Sequence, residues 1–201
     1  MDKRTQHGFT LYELLITVLI VGVILTFGVP NMLQFSQNSR MTSSANDLHS
    51  AFHLARSESS RAKTNITVCA SNNALAANSD CGGTWEDGFI VFVDDNGDIS
   101  RSGATETVLR ASGPVSDDIT FAVANDATYF SYASTGLGRP NVGGNPAVTQ
   151  IVMCDQRGTG TAVGGRSAAR LFVATPLGRA TIFRDQDLVD AALTAMTKTC
   201  P

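Results

Sequence analysis

The sequence predicts an α+β fold, in which one long N-terminal helix precedes a domain of antiparallel strands. Two observations predict the helix: residues 14–29 form an almost continuous apolar run without charge, and residues 48–62 carry apolar side chains at helical spacing. A third predicts the strands, because β-type segments separated by Gly-, Asn- and Pro-rich loops follow Thr64. The 201 residues, 43% hydrophobic and 16% charged, exclude a wholly disordered chain.

The apolar run predicts a retained membrane anchor. Phe9 to Pro30 is long enough to cross a bilayer, which needs about 20 apolar residues. Lys3 and Arg4 precede this segment, and such a basic leader predicts a cytoplasmic N-terminus and an exported remainder. A cleaved secretory signal would end in a small-x-small site, which is missing after Val29. A helix buried in a soluble core would be amphipathic.

Glu13 places a carboxylate inside this apolar segment, which costs about 2.5–3.5 kcal/mol on insertion scales. Charged residues in membrane segments are commonly functional. If the chain were cleaved after Gly8, Glu13 would fall in the first turn of the new helix, where it could pair with a free amino terminus. The alternative is that Glu13 simply lies in the headgroup layer.

Residues 8–15, GFTLYELL, resemble the leader junction of type IV pilins and type II secretion pseudopilins. The resemblance implies that a prepilin peptidase cleaves between Gly8 and Phe9 and methylates the new Phe9 amine. It also implies that Glu13 neutralises the terminal amine of a neighbouring subunit in a filament. The first eight residues would then be absent from the mature chain.

We expect one helix from Phe9 to Lys63, with a kink near Pro30 because proline lacks the backbone N–H. Its second half should pack against a sheet through an apolar face formed by Leu48, Phe52, Ala55, Ser59 and Ala62. His49 and His53 lie four residues apart and could share a metal. No third ligand is near them in the sequence, so we expect them to be solvated or to pack, and we predict no metal site.

Eight strands are predicted, near residues 65–69, 88–93, 107–110, 119–123, 128–132, 149–154, 171–175 and 181–184. Asp94–Asp98 supplies turn chemistry after the second of them, since Asn-Gly favours positive φ. A calcium loop is disfavoured because Ile99 stands where the EF-hand pattern requires glycine. We expect Asp94 and Asp95 to lie in a solvated turn.

A second resemblance, to the GspH/FimT/FimU group of minor pilins and pseudopilins, spans most of the chain. The blocks that carry it are Ala55–Glu58, Val68–Ser71, Cys81, Trp85–Asp94 and Ser134–Arg139. Both resemblances together imply a type IV pilin-like fold. They divide the chain into a leader peptide (1–8), a transmembrane and filament-core helix (9–30), an amphipathic helix (31–63) and a GspH/FimT-like β domain (64–201).

Four cysteines in an exported domain permit three disulfide connectivities. We expect Cys69 to bond Cys81, closing the short loop before Trp85, and Cys154 to bond Cys200, fixing the C-terminal tail. A zinc site is disfavoured because the sequence has no Cys-x-x-Cys pair and its histidines lie elsewhere.

The sequence carries none of the common hydrolase, nucleotide-binding or metalloprotease motifs, so we predict no enzyme and no cofactor. The resemblance implies a minor pilin of a type IV pilus in a Gram-negative bacterium, which helps prime pilus assembly at the tip and supports twitching motility or adhesion. Its implied partners are prepilin peptidase, other minor pilins and the major pilin. The chain would reside in the inner membrane with a periplasmic domain, and later in the surface filament.

Two alternatives stay open. One is a minor pseudopilin of a type II secretion system, which the leader and helix cannot distinguish from a pilus subunit. The other is a FimT-like DNA-binding minor pilin for natural transformation, because five arginines and no acidic residue occupy one stretch: Arg157, Arg166, Arg170, Arg179 and Arg184. The Gly-Arg-x-Arg motif of DNA binders in the family is incomplete here, since Gly178 and Arg179 are followed by Ala180 and Thr181.

Overall fold

A computed structural model describes residues 9–101, 105–162 and 164–200. Helix α1 runs from Leu11 to Ala62. The chain divides into two compact units, residues 1–38 and residues 39–201, and α1 contributes to both. The architecture is the predicted α+β arrangement of one long helix followed by antiparallel sheets.

The first unit contains the apolar half of α1. An 18-residue window of this helix has a mean hydropathy of 2.3, and none of the window is buried. Pro30 lies inside the helix without ending it, although its missing N–H removes one backbone hydrogen bond. The next residue, Asn31, donates from Nδ2 to the carbonyl of Phe27 at 2.9 Å. The kink at Pro30 stays a prediction.

In the second unit, α1 buries one face against the strand domain. The buried residues are Met41, Ala45, Leu48, Ala51, Phe52, Ala55 and Ser59. They recur every three or four positions, as expected for an amphipathic helix. The expectation for Ala62 is wrong: this side chain is exposed. Ala62 is the last helical residue, and Lys63 takes the left-handed conformation (φ 57°) that ends many helices.

All eight predicted strands are present, within two residues of the expected bounds. Five further strands, of two residues each, lie between the predicted ones and were not expected from the sequence. The strands in chain order are β1 (Ile66–Ala70), β2 (Phe89–Val93), β3 (Val108–Ser112), β4 (Thr120–Val123), β5 (Tyr129–Tyr132), β6 (Gly138–Arg139), β7 (Asn141–Val142), β8 (Asn145–Pro146), β9 (Gln150–Cys154), β10 (Thr161–Ala162), β11 (Arg166–Ser167), β12 (Arg170–Ala174) and β13 (Ala180–Phe183).

Two antiparallel sheets form the body of this unit. The first has the order β3-β2-β1-β5-β6 and the second has the order β13-β12-β9-β4. Small two-stranded sheets are formed by β7 with β8 and by β10 with β11. Neighbouring strands in both main sheets pair antiparallel, and short connections join β5 to β6 and β12 to β13.

Phe52 of α1 lies at the centre of the main hydrophobic core and is fully buried. Its ring centroid is 5.4 Å from that of Phe130 in the first sheet and 4.7 Å from that of Phe172 in the second. Trp85 is 6.3 Å away and satisfies its indole N–H by donating to the carbonyl of Ala127 at 2.8 Å. One aromatic side chain therefore joins the helix to both sheets.

A second helix, α2 (Gln186–Met196), is missing from the sequence prediction. Its buried side chains Val189 and Leu193 belong to a separate small core with Val152 and Leu171 of the second sheet. Asp185 caps the helix, because its side chain accepts the N–H of Leu188 at 3.1 Å.

Candidate functional site

The start of α1 carries the residues expected to direct subunit assembly. Glu13 and Thr10 form a reciprocal capping box: the N–H of Thr10 donates to Glu13 Oε2 at 2.9 Å, and the N–H of Glu13 donates to Thr10 Oγ1 at 3.2 Å. Phe9 is 89% exposed, whereas Gly8 lies outside the described residues. The carboxylate is thus held beside the helix N-terminus, next to the residue expected to carry the mature amine.

The apolar half of α1 presents large hydrophobic side chains on every face. The exposed ones include Leu14, Leu15, Val18, Leu19, Ile24, Leu25 and Phe27. Because an exposed apolar surface of this extent is unfavourable in water, this segment requires a lipid bilayer or other apolar helices around it.

Arg170, one of the five arginines of the DNA-binding hypothesis, is only 2% exposed. Its guanidinium donates to the backbone carbonyls of residues 167–169 at distances from 2.7 to 3.1 Å. Burial, followed by the nearby charges of Arg184 and Arg157, lowers the pKa of Arg170 to about 10. This side chain is committed to the fold and is not presented to a ligand.

Arg157 is also engaged, since its Nε donates to both carboxylate oxygens of Asp155 at 3.0 and 3.1 Å. The Asp155 side chain is only 4% exposed, so this pair is largely removed from solvent. Arg184 is half-buried, and its pKa is lowered by burial first and then by the charges of Arg166 and Arg157. Four of the arginines therefore lie near one another.

Arg179 lies apart from that group. The pairing of β12 with β13 matches Leu171 with Phe183 and Ala174 with Ala180, so Arg170 and Arg184 flank one end of the hairpin and Arg179 the other. Arg166 and Arg179 are the exposed members of the set. Arg166 and Arg184 share a shallow pocket with Asp185 and Asp187, whose carboxylates oppose a phosphate ligand.

Asp94 is fully buried, and the expectation of a solvated turn is wrong for this residue. Its Oδ2 accepts the hydroxyl of Thr67 at 2.7 Å and lies 3.7 Å from Nη1 of Arg139. Arg139 Nη2 in turn donates to the carbonyl of Gly97 at 2.8 Å. The guanidinium thus occupies the inner side of the acidic turn, where a bound cation would have to sit.

Two family-like blocks meet near the end of α1. Gly136 (φ 80°) and Gly178 (φ 75°) face each other so closely that a Cβ on Gly178 would lie 2.2 Å from the Gly136 carbonyl oxygen. Arg56 Nη2 donates to the carbonyl of Leu177 at 3.2 Å and fixes this turn to the helix. Gly178 therefore has a packing role whether or not a nucleic acid binds beside it.

Both disulfides join the cysteines that the sequence analysis paired. Cys69, on the central strand β1, bonds Cys81, and the two Cα atoms are 5.6 Å apart. Cys154, at the end of β9, bonds Cys200 beyond α2, with a Cα–Cα distance of 5.5 Å. Within residues 9–101, 105–162 and 164–200, no cysteine is free and no three His, Cys, Asp or Glu side chains are grouped to hold a metal ion.

Two features of these surfaces were not predicted from the sequence, although a sequence pattern indicates each of them. Thr10 and Glu13 match the Thr-x-x-Glu capping box. Asp185 followed by apolar residues at positions 189, 192, 193 and 196 matches a capped amphipathic helix.

Two family models match the chain. The model described as type II transport protein GspH matches residues 44–175. The model described as the prokaryotic N-terminal methylation motif matches residues 3–29. No curated protein sequence matches the chain significantly.

Among solved structures, the fold is similar to the type IV minor pilin FimU of Pseudomonas aeruginosa strain PAO1. One crystal form has a TM-score of 0.50 and 18% sequence identity, covering 74% of this chain and 92% of that chain. A second crystal form has a TM-score of 0.47 and 19% identity, covering 71% and 91% of the two chains. The first likeness supports a shared fold.

Proposed function

The chain belongs to the type II transport protein GspH family of pilin-like subunits, and on that premise we propose that it is a minor pilin of a type IV pilus. It helps prime pilus assembly, is incorporated at the tip and supports twitching motility or adhesion. Proteins of this family are structural subunits, not enzymes. The FimU-like fold is consistent with this proposal.

One observation carries this proposal: an apolar helix half, exposed on all faces, carries one carboxylate, that of Glu13, which caps its N-terminus. In a filament, the equivalent helices of other minor pilins and of the major pilin would cover this surface. Before assembly, the inner membrane would cover it. Glu13 would exchange its contact with Thr10 for the methylated amine of a neighbouring Phe9.

The proposed location is the inner membrane with the second unit in the periplasm, followed by the pilus at the surface of a Gram-negative cell. Lys3 and Arg4 support this orientation through the positive-inside rule. The two disulfides support it too, because such bonds persist in the periplasm and are rare in the cytosol.

The test replaces Glu13 with alanine in the otherwise intact chain. Because the variant cannot neutralise a neighbouring amine, we expect normal membrane insertion and leader cleavage but few or no pili, scored by electron microscopy and by shear-recovered filament protein. Glu58→Ala is the matched control, since Glu58 lies on the same helix and pairs only with Arg61 three residues later. Normal piliation in the Glu13 variant would overturn the proposal.

The two alternatives are separated by deleting the gene and scoring piliation, twitching, transformation and exoprotein secretion together. Loss of secretion with intact pili would assign a GspH-like pseudopilin. Loss of transformation with intact pili would assign a FimT-like DNA binder. In that case, Arg166→Ala and Arg179→Ala should reduce salt-sensitive DNA binding by the purified chain, because these two arginines are exposed.

A further inference from the structure

His49 and His53 form a close imidazole pair on the second half of α1. Their Nε2 atoms are 3.1 Å apart, and their ring centroids are separated by 4.4 Å at an interplanar angle of 68°. His49 is half-buried, whereas His53 is exposed. Helical spacing of four residues places both rings on one face, and the open side of the pair faces solvent.

A third donor atom comes from the strand domain. The carbonyl oxygen of Ala180, on β13, lies 3.2 Å from Nε2 of His49. Only one of the two Nε2 atoms can carry a hydrogen, because two hydrogens there would point at each other. We place the hydrogen on His49 Nε2, where it faces the carbonyl of Ala180, and His53 Nε2 then has a free lone pair. His53 is exposed, so its ring can present this lone pair to an ion that arrives from solvent.

We propose that His49 and His53 bind one divalent transition-metal ion of the imidazole-preferring class, namely Zn²⁺, Cu²⁺ or Ni²⁺. Metal–imidazole bonds are about 2.0–2.1 Å long, so two nitrogens on one ion are roughly 2.9 Å apart at a right angle and about 3.4 Å apart at a tetrahedral angle. The observed 3.1 Å lies between these values, so the rings need little rearrangement.

The ion replaces the hydrogen on His49 Nε2. His49 moves its proton to Nδ1, and both Nε2 atoms then donate lone pairs to the metal. Ala180 O is released from its contact with His49 and is positioned as a third, weaker ligand, while water fills the remaining positions. Because only two ligands are imidazoles, the site is exchangeable and differs from a closed structural zinc site with four protein ligands.

The positive charge of Arg56 lowers the affinity of this site for a metal ion. Arg56 lies three residues beyond His53 on α1, so the two side chains are neighbours on the helix surface and the positive charge of Arg56 opposes a divalent cation. Arg56 is held in place by its bond to the carbonyl of Leu177. Removing this charge while keeping a hydrogen-bond donor, as in Arg56→Gln, should therefore tighten metal binding.

The experiment titrates the full-length chain, untagged and in detergent micelles, with CuCl₂ and ZnCl₂. The sequence contains three histidines, so a His7→Gln background leaves only the pair. We expect one tight Cu²⁺ per chain with electron paramagnetic resonance coupling to two nitrogens. His53→Gln should lower the affinity for both ions about tenfold or more and leave coupling to one nitrogen.

His53→Gln is the decisive variant, because an exposed side chain can be replaced without disturbing the fold, and an unchanged unfolding temperature verifies this. Arg56→Gln should shift affinity in the opposite direction. Cu²⁺ spectra without coupling to two nitrogens, or equal affinities of the parent and the His53→Gln variant, would overturn the proposal.

Discussion

At the scale of single residues, burial decides which charges contribute to stability. Asp94 is fully buried and is approached by Thr67 and Arg139. Arg40 and Asp118 form a shorter contact of 2.9 Å, but their side chains are 55% and 46% exposed. Water and salt screen the second pair, whereas the first pair interacts across a low-dielectric interior.

We predict that a double-mutant cycle distinguishes the two pairs. Asp94→Asn with Arg139→Gln should give a coupling energy of about 1–3 kcal/mol, because each single change leaves a polar partner unmatched in the interior. Arg40→Gln with Asp118→Asn should couple by less than about 0.5 kcal/mol. Unfolding free energies from denaturant titration measure both cycles, and equal coupling in the two pairs would contradict the prediction.

Residue environments were the least predictable part of the molecule. The sequence shows the turn-forming residues around Asp94. It does not show that Arg139, which is distant in the chain, lies beside the Asp94 carboxylate in the interior. The spacing of His49 and His53 was also visible. The third group of the site is the backbone carbonyl of Ala180, which is 131 positions from His49 in the chain. No sequence pattern predicts that contact.

At the scale of elements, each disulfide fixes a different part of the strand domain. Cys69–Cys81 attaches a short loop to β1, in the middle of the first sheet. Cys154–Cys200 attaches the chain beyond α2 to β9 of the second sheet. The separations along the chain are 12 and 46 residues, so the two bonds constrain the unfolded chain to different extents.

We predict that the longer loop gives the larger stabilisation. In the chain-entropy model, removing Cys69–Cys81 by a double alanine substitution costs about 3 kcal/mol, and removing Cys154–Cys200 costs about 4 kcal/mol. Denaturant unfolding of the two variants and the parent measures this order. Reduction of the parent with dithiothreitol is the control and should lower stability at least as much as either variant. A reversed order would show that local strain or residual structure dominates.

The strands were predictable because their sequences are rich in β-branched and aromatic residues between turn signals. Phe89–Val93 is a clear example. The strand order was not predictable, since it depends on contacts distant in the chain. The two-residue strands, such as Gly138–Arg139, carry no pattern of their own and form only because neighbouring strands offer hydrogen-bond partners.

At the scale of the whole molecule, the chain combines two dissimilar parts. Residues 1–38 and 39–201 are separate compact units. The large hydrophobic residues described in the first, from Phe9 to Phe35, are exposed, whereas many of those in the second form buried cores. The low net charge of −3 averages over both parts and indicates little about either. Membrane insertion and domain folding are therefore distinct requirements placed on one chain.

We predict that the mature chain starts at Phe9 with a methylated amine, because residues 3–29 match the N-terminal methylation motif. Intact-mass spectrometry of protein from isolated membranes should show loss of residues 1–8 and gain of one methyl group. Gly8→Ala should retain the full leader. Gly22→Ala is the control, since a Cβ there meets nothing within 4 Å, and it should be processed normally. Full processing of the Gly8 variant would contradict the prediction.

The position of Phe52 has a mechanical consequence. Its ring contacts Phe130 in the first sheet and Phe172 in the second. If the chain is part of a filament, as proposed, tension that enters this part of α1 reaches both sheets through this side chain. Each sheet also contains one disulfide-bonded strand, β1 in the first and β9 in the second. Phe52 is therefore a point at which a load on the helix would be shared between the two sheets, so that neither sheet would bear it alone.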